Sequence, residues 1–196
     1  FGDWSSDVCS SDLPDILNGN RAMAHDSAAK LKRAAEQAGK FYAFNAAHDP
    51  AQPAQWWFQE SNEGRVLFIV FYTLACRWSK CAGCNLPSMV SDAFVPFHLI
   101  MKQVDAMFAK PEVVAARDAI RKIIVSNNGS VLDEATFSST ALMYLMARIN
   151  ITFPNLKTLT LETRPEYVDI AELEFLSRAL AEIDPPAKLE DRKSVV

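Results

Sequence analysis

Arg65-Val66-Leu67-Phe68-Ile69-Val70-Phe71-Tyr72-Thr73 is followed almost at once by Cys76-Arg77-Trp78-Ser79-Lys80-Cys81-Ala82-Gly83-Cys84. The first stretch is a nearly continuous apolar and β-branched run. A strand with one wet face alternates apolar and polar residues; a strand covered on both faces does not. Residues 65–73 therefore predict a strand buried on both faces. The three cysteines follow at its carboxyl end.

The same texture returns further along. Lys122-Ile123-Ile124-Val125-Ser126 predicts a second strand and Leu156–Leu161 a third. Helical segments separate them. Residues 92–109 carry Phe94, Leu99, Ile100, Met107 and Phe108; Pro111 interrupts, and Glu112–Ile120 supply another turn or two. Residues 138–149 hold Leu142, Met143, Leu145 and Met146, read as core filling. Asp169 predicts an N-cap with Glu172 as its capping-box partner, and Leu173, Leu176 and Leu180 the buried stripe of that helix. Pro185-Pro186 end it, and Ala187–Glu190 begin a fourth strand that stops at Glu190. Strands alternating with helices in this way predict an α/β fold of parallel units with right-handed crossovers. Chemistry in such sheets gathers at the carboxyl ends of the strands. Three polar motifs fall there: the cysteine loop, Ser126-Asn127-Asn128-Gly129-Ser130, and Glu162-Thr163-Arg164-Pro165-Glu166.

Upstream, residues 27–39 predict a short surface helix capped by Asp26 or Ser27. Residues 45–64 read as loop, with Trp56 and Trp57 as packing aromatics.

The two ends read differently from the rest. Residues 3–13, Asp-Trp-Ser-Ser-Asp-Val-Cys-Ser-Ser-Asp-Leu, match the translation of a widely used sequencing-library adapter residue for residue. Asp191–Val196 match the translation of a second adapter, whose start is the reverse complement of the first one's end. Residues 1–13 and 191–196 are therefore expected to be adapter-derived, and Pro14–Glu190 a gene fragment.

Setting those ends aside changes the composition. The full chain of 196 residues has 20 basic and 24 acidic residues, a net of −4. Without Asp3, Asp7, Asp12, Asp191, Arg192 and Lys193, 18 basic and 20 acidic residues remain, a net of −2. Such a balance does not advertise a nucleic-acid surface by bulk charge. Cys9 drops out, leaving the cluster of Cys76, Cys81 and Cys84. Three clustered cysteines do not describe a disulfide framework; they suggest a metal or cluster site in a reducing, cytoplasmic compartment. Neither a secretory signal nor an apolar run long enough to span a membrane is visible.

Thiolates bind soft metals, and three so close together can converge on one centre. On a cubane iron–sulfur cluster, three ligands leave one iron open to an external chelate. On zinc, a closed structural site needs a fourth ligand. His98 is the nearest downstream, inside an apolar helical stretch, and His25 and His48 lie upstream.

A cysteine triplet after the first strand of a β/α barrel resembles the radical S-adenosylmethionine (radical SAM) superfamily, over roughly residues 65–190. The spacing here is C-x4-C-x2-C, one residue longer than the family's usual first gap, and Gly83 stands where a bulky residue is common. Ser126–Ser130 occupy the position of the family's glycine-rich loop, although they do not read G-G-E. Glu162–Glu166 resemble the E-S-R-P-E of the branch containing the elongator catalytic subunit and the archaeosine-synthase radical SAM partner. Asn128-Gly129-Ser130-Val131-Leu132-Asp133-Glu134 resembles the S-G-S-F-L-D-E of the latter.

The resemblance implies a truncated, partial TIM-type (β/α) barrel: three β/α units plus the start of a fourth strand, behind a helical and loop extension over residues 14–64. It implies that Cys76, Cys81 and Cys84 hold a [4Fe–4S] cluster. Ser126, Asn127, Asn128, Gly129 and Ser130 would bind the methionyl amino group of S-adenosylmethionine, with Asn side chains and carbonyls accepting from the ammonium. Glu162 and Arg164 would meet its ribose and carboxylate, or else form a structural ion pair. The implied activity is reductive cleavage of S-adenosylmethionine to a 5′-deoxyadenosyl radical, which abstracts a hydrogen atom from a substrate. A one-electron donor of the flavodoxin or ferredoxin type is implied, and by analogy a tRNA substrate or partner subunit. No membrane partner is expected. Two other readings remain: a structural zinc-binding interaction domain, and a non-catalytic iron–sulfur electron-transfer protein, which would want a fourth cysteine.

Overall fold

Trp56, Trp57 and Phe58 carry aromatic rings that suit a pleated surface, and they form a strand. In the computed structural model of the protein, residues 44–76, 89–182 and 186–193 are described, with side chains through Leu189, together with Arg33 and Gln37. Strand β1 is Gln55–Ser61 and strand β2 is Gly64–Val70. They pair antiparallel, with Trp57 opposite Phe68 and Ser61 opposite Gly64. Gly64 has φ 121°, and a Cβ there would come within 2.6 Å of Arg121 Cγ. Only glycine suits this hairpin turn on both counts. The loop expected over residues 45–64 is thus strand over Gln55–Ser61. Its polar residues fit a strand here, because Gln55, Gln59 and Glu60 belong to an exposed edge strand with little need for apolar alternation.

Beyond β2 the elements are helix α1 (Phe97–Phe108), helix α2 (Pro111–Ala116), strand β3 (Ile120–Ser126), helix α3 (Ser139–Thr152), strand β4 (Thr158–Thr163), helix α4 (Ile170–Leu180) and strand β5 (Lys188–Lys193). The sheet order is β1-β2-β3-β4-β5, and every pair after the first is parallel. This is the α/β alternation the sequence predicts. One boundary differs: β5 does not stop at Glu190 but continues to Lys193, its backbone paired with β4 through Thr163. The helix expected over residues 27–39 lies outside the described residues, save that Arg33 and Gln37 are helical and exposed.

Alternation along each strand sorts the core into two faces. Leu67, Ile69, Phe71, Ile123, Val125, Leu159 and Leu161 join one buried cluster with Ile100, Val104, Met107, Leu142, Leu145, Ile149, Leu176 and Leu180 from the helices. Val66, Phe68, Val70 and Ile124 form a second cluster with Ala54 and Trp57 and with no helical residue. All four described helices therefore pack on the same face. A sequential parallel sheet with crossovers of one hand has this consequence. Each fully buried Leu, Ile or Phe contributes about 1.5–3 kcal/mol of transfer free energy.

The sheet is open, with β1 and β5 at its edges. Both neighbours of β2 are taken, by β1 and β3, so the sheet does not close onto β2. No helix among the described residues is long and apolar enough to cross a membrane.

The cap at Asp169 is the one the sequence predicts; the cap at Ser138 is an addition. Ser138 Oγ accepts from Thr140 N at the start of α3, and Asp169 Oδ1 accepts from Glu172 N at 2.9 Å at the start of α4. Such caps contribute about 1 kcal/mol each.

Candidate functional site

The ladder of β2 ends at Val70, yet the backbone stays dry for several residues more. Tyr72 sits where β1 no longer reaches. Its N–H donates to Gln103 Oε1 at 2.8 Å, and its carbonyl accepts from Gln103 Nε2 at 2.8 Å. One fully buried amide on α1 thus stands in for a neighbouring strand, and it also donates to Pro50 O at 2.9 Å. Gln103 falls on the helical stripe of Ile100, Val104 and Met107, and a polar residue in that register was its only sequence signal.

From there the chain is tied to the next loop. Phe71 N donates to Ser126 O at 2.7 Å, and Thr73 Oγ1 reaches Asn127 O at 3.4 Å. Ala75 N donates to Ser91 O and Ser91 N to Thr73 O, at 3.0 and 2.9 Å. The chain leaving at Cys76 and the chain returning at Ser91 are therefore side by side. Cys81 and Cys84 lie outside the described residues. Cys76 is half-buried at the end of this extension of β2.

The motif after β3 meets it directly. A Cβ added to Gly129 would lie 3.2 Å from Cys76 Cβ and 3.4 Å from Cys76 Cα. Gly129, one of the residues the resemblance puts at the cofactor's amino group, thus lies against the first cysteine. The loop is built by its own side chains. Asn127 Oδ1 accepts from Gly129 N at 3.1 Å, and Asn127 Nδ2 donates to Ser130 O and to Thr136 Oγ1 at 3.2 and 3.1 Å. Ser126 Oγ accepts from Asn128 N at 3.3 Å. Asn128 has φ 58°, a left-handed conformation that Asn tolerates better than most residues. Its amide Nδ2 is buried with no hydrogen-bond partner. Such an orphan donor costs roughly 1–3 kcal/mol unless a ligand supplies the acceptor.

The third motif closes the rim. Ser130 Oγ bonds to Thr163 Oγ1, Arg164 N donates to Ser130 Oγ at 3.4 Å, and Val131 N donates to Glu162 O at 3.0 Å. Glu162 is half-buried. Arg164 pairs with Glu166 at 2.8 Å rather than with Glu162. The Arg164 hydrogen bond is the main reason the Glu166 carboxyl titrates below its ordinary range. Thr163, Thr73, Ser91 and Thr136 hold the rim together, but nothing in a single sequence marks small hydroxyl residues as structural.

The histidines sit elsewhere. His48 packs against the Tyr72 ring at 4.5 Å between centroids, with Nε2 2.9 Å from Gln52 O. His98 is exposed in the first turn of α1, and His25 lies outside the described residues. Among the described residues, no three His, Cys, Asp or Glu side chains come together as a metal site. Trp57 stacks on Phe68 at 4.2 Å and Trp56 meets Phe58 edge-on at 5.6 Å, so both act as packing aromatics, now on a strand.

No family model matches the chain, and no solved structure matches it significantly. An uncharacterised protein of Methanocaldococcus jannaschii is 27% identical over 143 residues, which cover 67% of this chain and 38% of that protein. The chain thus spans well under two thirds of the length of this curated relative.

Proposed function

We propose that this chain is part of a radical SAM enzyme and that its sheet is the front part of a (β/α) barrel. The observation that carries the reading is the contact of Gly129 with Cys76, because it joins the cysteine loop to the loop where the resemblance expects cofactor binding. The placement of all described helices on one face of a sequential parallel sheet supports the barrel.

The residues fit an iron–sulfur group in two respects. Cys76 stands beyond the carboxyl end of β2, and the chain at Ser91, which follows Cys81 and Cys84 in the sequence, is hydrogen-bonded to Thr73 and Ala75 just before it. Asn128 offers a buried donor without a protein partner, one residue from the Cys76 contact. Cys76, Cys81 and Cys84 would hold a [4Fe–4S] cluster, which when bound supplies the electron that cleaves the sulfonium bond of S-adenosylmethionine.

The protein's own part is to orient and to exclude water. The bonds of Asn127 and Ser130 keep the Ser126–Ser130 loop rigid against β4, and Thr73 and Ser91 hold the chain around Cys76. Glu162 and Arg164 lie on the same rim and are the candidates for ribose and carboxylate contacts. A flavodoxin- or ferredoxin-type electron donor and a tRNA substrate belong to this proposal.

Anaerobic iron–sulfur reconstitution of the chain tests it. Iron and zinc are counted, and the reduced protein's EPR spectrum is taken with and without S-adenosylmethionine. Cluster iron with a signal altered by S-adenosylmethionine is expected. Stoichiometric zinc in folded protein with no cluster would turn the reading to a structural metal site. A cluster indifferent to S-adenosylmethionine would turn it to electron transfer.

A further inference from the structure

We propose that residues 44–52 are a strap that seals the base of the cysteine loop, and that Tyr72 is the positioning residue through which the strap acts on Cys76. The seal rests on the geometry around Cys76; its effect on a cluster rests also on the radical SAM reading.

Three fastenings hold the strap to the chain that leads into Cys76. Tyr72 OH donates to Asn45 O at 2.8 Å, and the His48 ring lies against the Tyr72 ring. Gln103 Nε2, the nitrogen that donates to Tyr72 O, also donates to Pro50 O. Phe44 packs on Ala75 and Val90, two buried residues that form a small apolar cluster apart from the rest of the core. Ala75 directly precedes Cys76, and Val90 directly precedes Ser91, which is hydrogen-bonded to Thr73 and Ala75. One ring thus covers the chain before the first cysteine and the chain at Ser91.

The strap holds its own shape. Ala46 N donates to Phe44 O, His48 N to Asn45 O and Gln52 N to Asp49 O, at 3.0, 3.1 and 2.9 Å. Asp49 Oδ1 accepts from Ala51 N, and His48 Nε2 donates to Gln52 O, both at 2.9 Å. Turns closed by local bonds have less freedom to lose on docking. The strap is not needed to satisfy the main chain beneath it. Tyr72 is already paired with Gln103, Phe71 N with Ser126 O and Ala75 N with Ser91 O. What it adds is cover, and a fixed direction for the Tyr72 side chain. Shielding a metal–thiolate group from water tunes its potential, so cover at this place has a chemical consequence.

The test compares three variants of the full chain. Tyr72→Phe keeps the ring and removes the bond to Asn45. Phe44→Ala removes the cover. Phe153→Leu weakens the core just before β4 begins, at the other end of the sheet. In the metal-free, reduced chain, Cys76 is alkylated with iodoacetamide and its rate read by peptide mass spectrometry, with circular dichroism confirming the fold. In the reconstituted chain, the midpoint potential of the cluster and its bleaching rate in air are measured.

Cys76 should be alkylated about fivefold faster in Tyr72→Phe, the factor that one hydrogen bond of typical net strength is worth in a local opening equilibrium. Phe44→Ala should exceed this, and Phe153→Leu should stay near the parent. Bleaching should quicken in the same order. The midpoint potential should rise, since water beside the cluster favours the more highly charged reduced state. Rates at Cys76 that are unchanged in folded Tyr72→Phe, or raised as much by Phe153→Leu, would overturn the seal. Faster alkylation with unchanged potential and bleaching would overturn the positioning role of Tyr72. A parent that takes up no iron would defeat the radical SAM reading, and the alkylation rates would still decide the seal.

Discussion

Between Leu67 and Leu161 the strand residues on the helix-covered face of the sheet are apolar, whereas at the carboxyl rim Thr73, Ser126, Asn127, Asn128, Ser130, Asp133, Thr136 and Thr163 are buried alongside Leu74, Val131 and Phe137. Both regions exclude water. The middle does so with apolar area, which tolerates neighbours of many shapes as long as volume is kept. The rim does so with hydrogen bonds, each of which must find one partner at one distance, and a missed partner costs the full desolvation of the group. A chain that needed only stability would fill the rim with apolar residues too. Polar groups buried against local preference are expected at functional sites, and here they occupy the one end of the sheet where three loops converge.

The difference can be broken first at the bottom of the sheet. Phe153 is fully buried and meets Phe108 edge-on at 4.9 Å. Phe153→Ala should lower unfolding free energy by about 3–5 kcal/mol. On the proposed function, iron and cofactor binding per folded molecule should not change. Urea titration followed by iron analysis checks both, and a variant stable but unable to hold iron would mean that the two regions are not separable.

Gln103 lies between the two regimes. Replacing it by Leu keeps the volume and adds apolar area, yet it orphans the N–H and carbonyl of Tyr72. The expected cost is about 2–4 kcal/mol, read by denaturant midpoint. A neutral result would show that burial alone keeps the end of β2 in place.

Gly129→Ala probes the rim from the other side. The new methyl sits 3.2 Å from Cys76 Cβ, so a small shift relieves it and stability should fall by only about 1 kcal/mol. The geometry at Cys76 should suffer more than the fold, with iron retention and the EPR response to S-adenosylmethionine reduced. Loss of stability without loss of iron would contradict the contact that carries the proposed function.

The smallest effect is electrostatic. Partial burial, with Glu134 and Asp169 nearby, raises the Glu172 carboxyl above its ordinary range. An acid whose folded pKa is raised lowers stability when ionised. That cost is full above the folded value and vanishes below the unfolded one. Glu172→Gln should therefore stabilise the protein by no more than about 0.5 kcal/mol at neutral pH. Melting curves at pH 7 and pH 4 should show the gain disappear on acidification, while the N-cap, which uses the Glu172 backbone, is untouched.

Much of the fold was legible because its signals are local. An unbroken apolar run announced β2; Asp169 and Glu172 announced the start of α4; the spacing of Leu176 and Leu180 announced its buried side. β1 was missed for the converse reason. An edge strand buries too little to leave an apolar pattern, and Trp56 and Trp57 make sense only once Phe68 and Lys110 lie beside them. At the rim, sequence reasoning located the motifs but not the division of labour within them.

What the sequence determined by itself is the alternation of strands and helices and the arrival of three polar motifs at strand ends, since periodicity and capping depend only on neighbours along the chain. The tertiary structure decided which side chains meet there. It set Gly129 against Cys76, Gln103 across the end of β2, and Arg164 on Glu166. It also left Asn128 a donor without a partner beside an Asn127 whose bonds all turn inward. A hydrogen bond is a matter of distance and angle between atoms far apart in sequence, and only folding places those atoms.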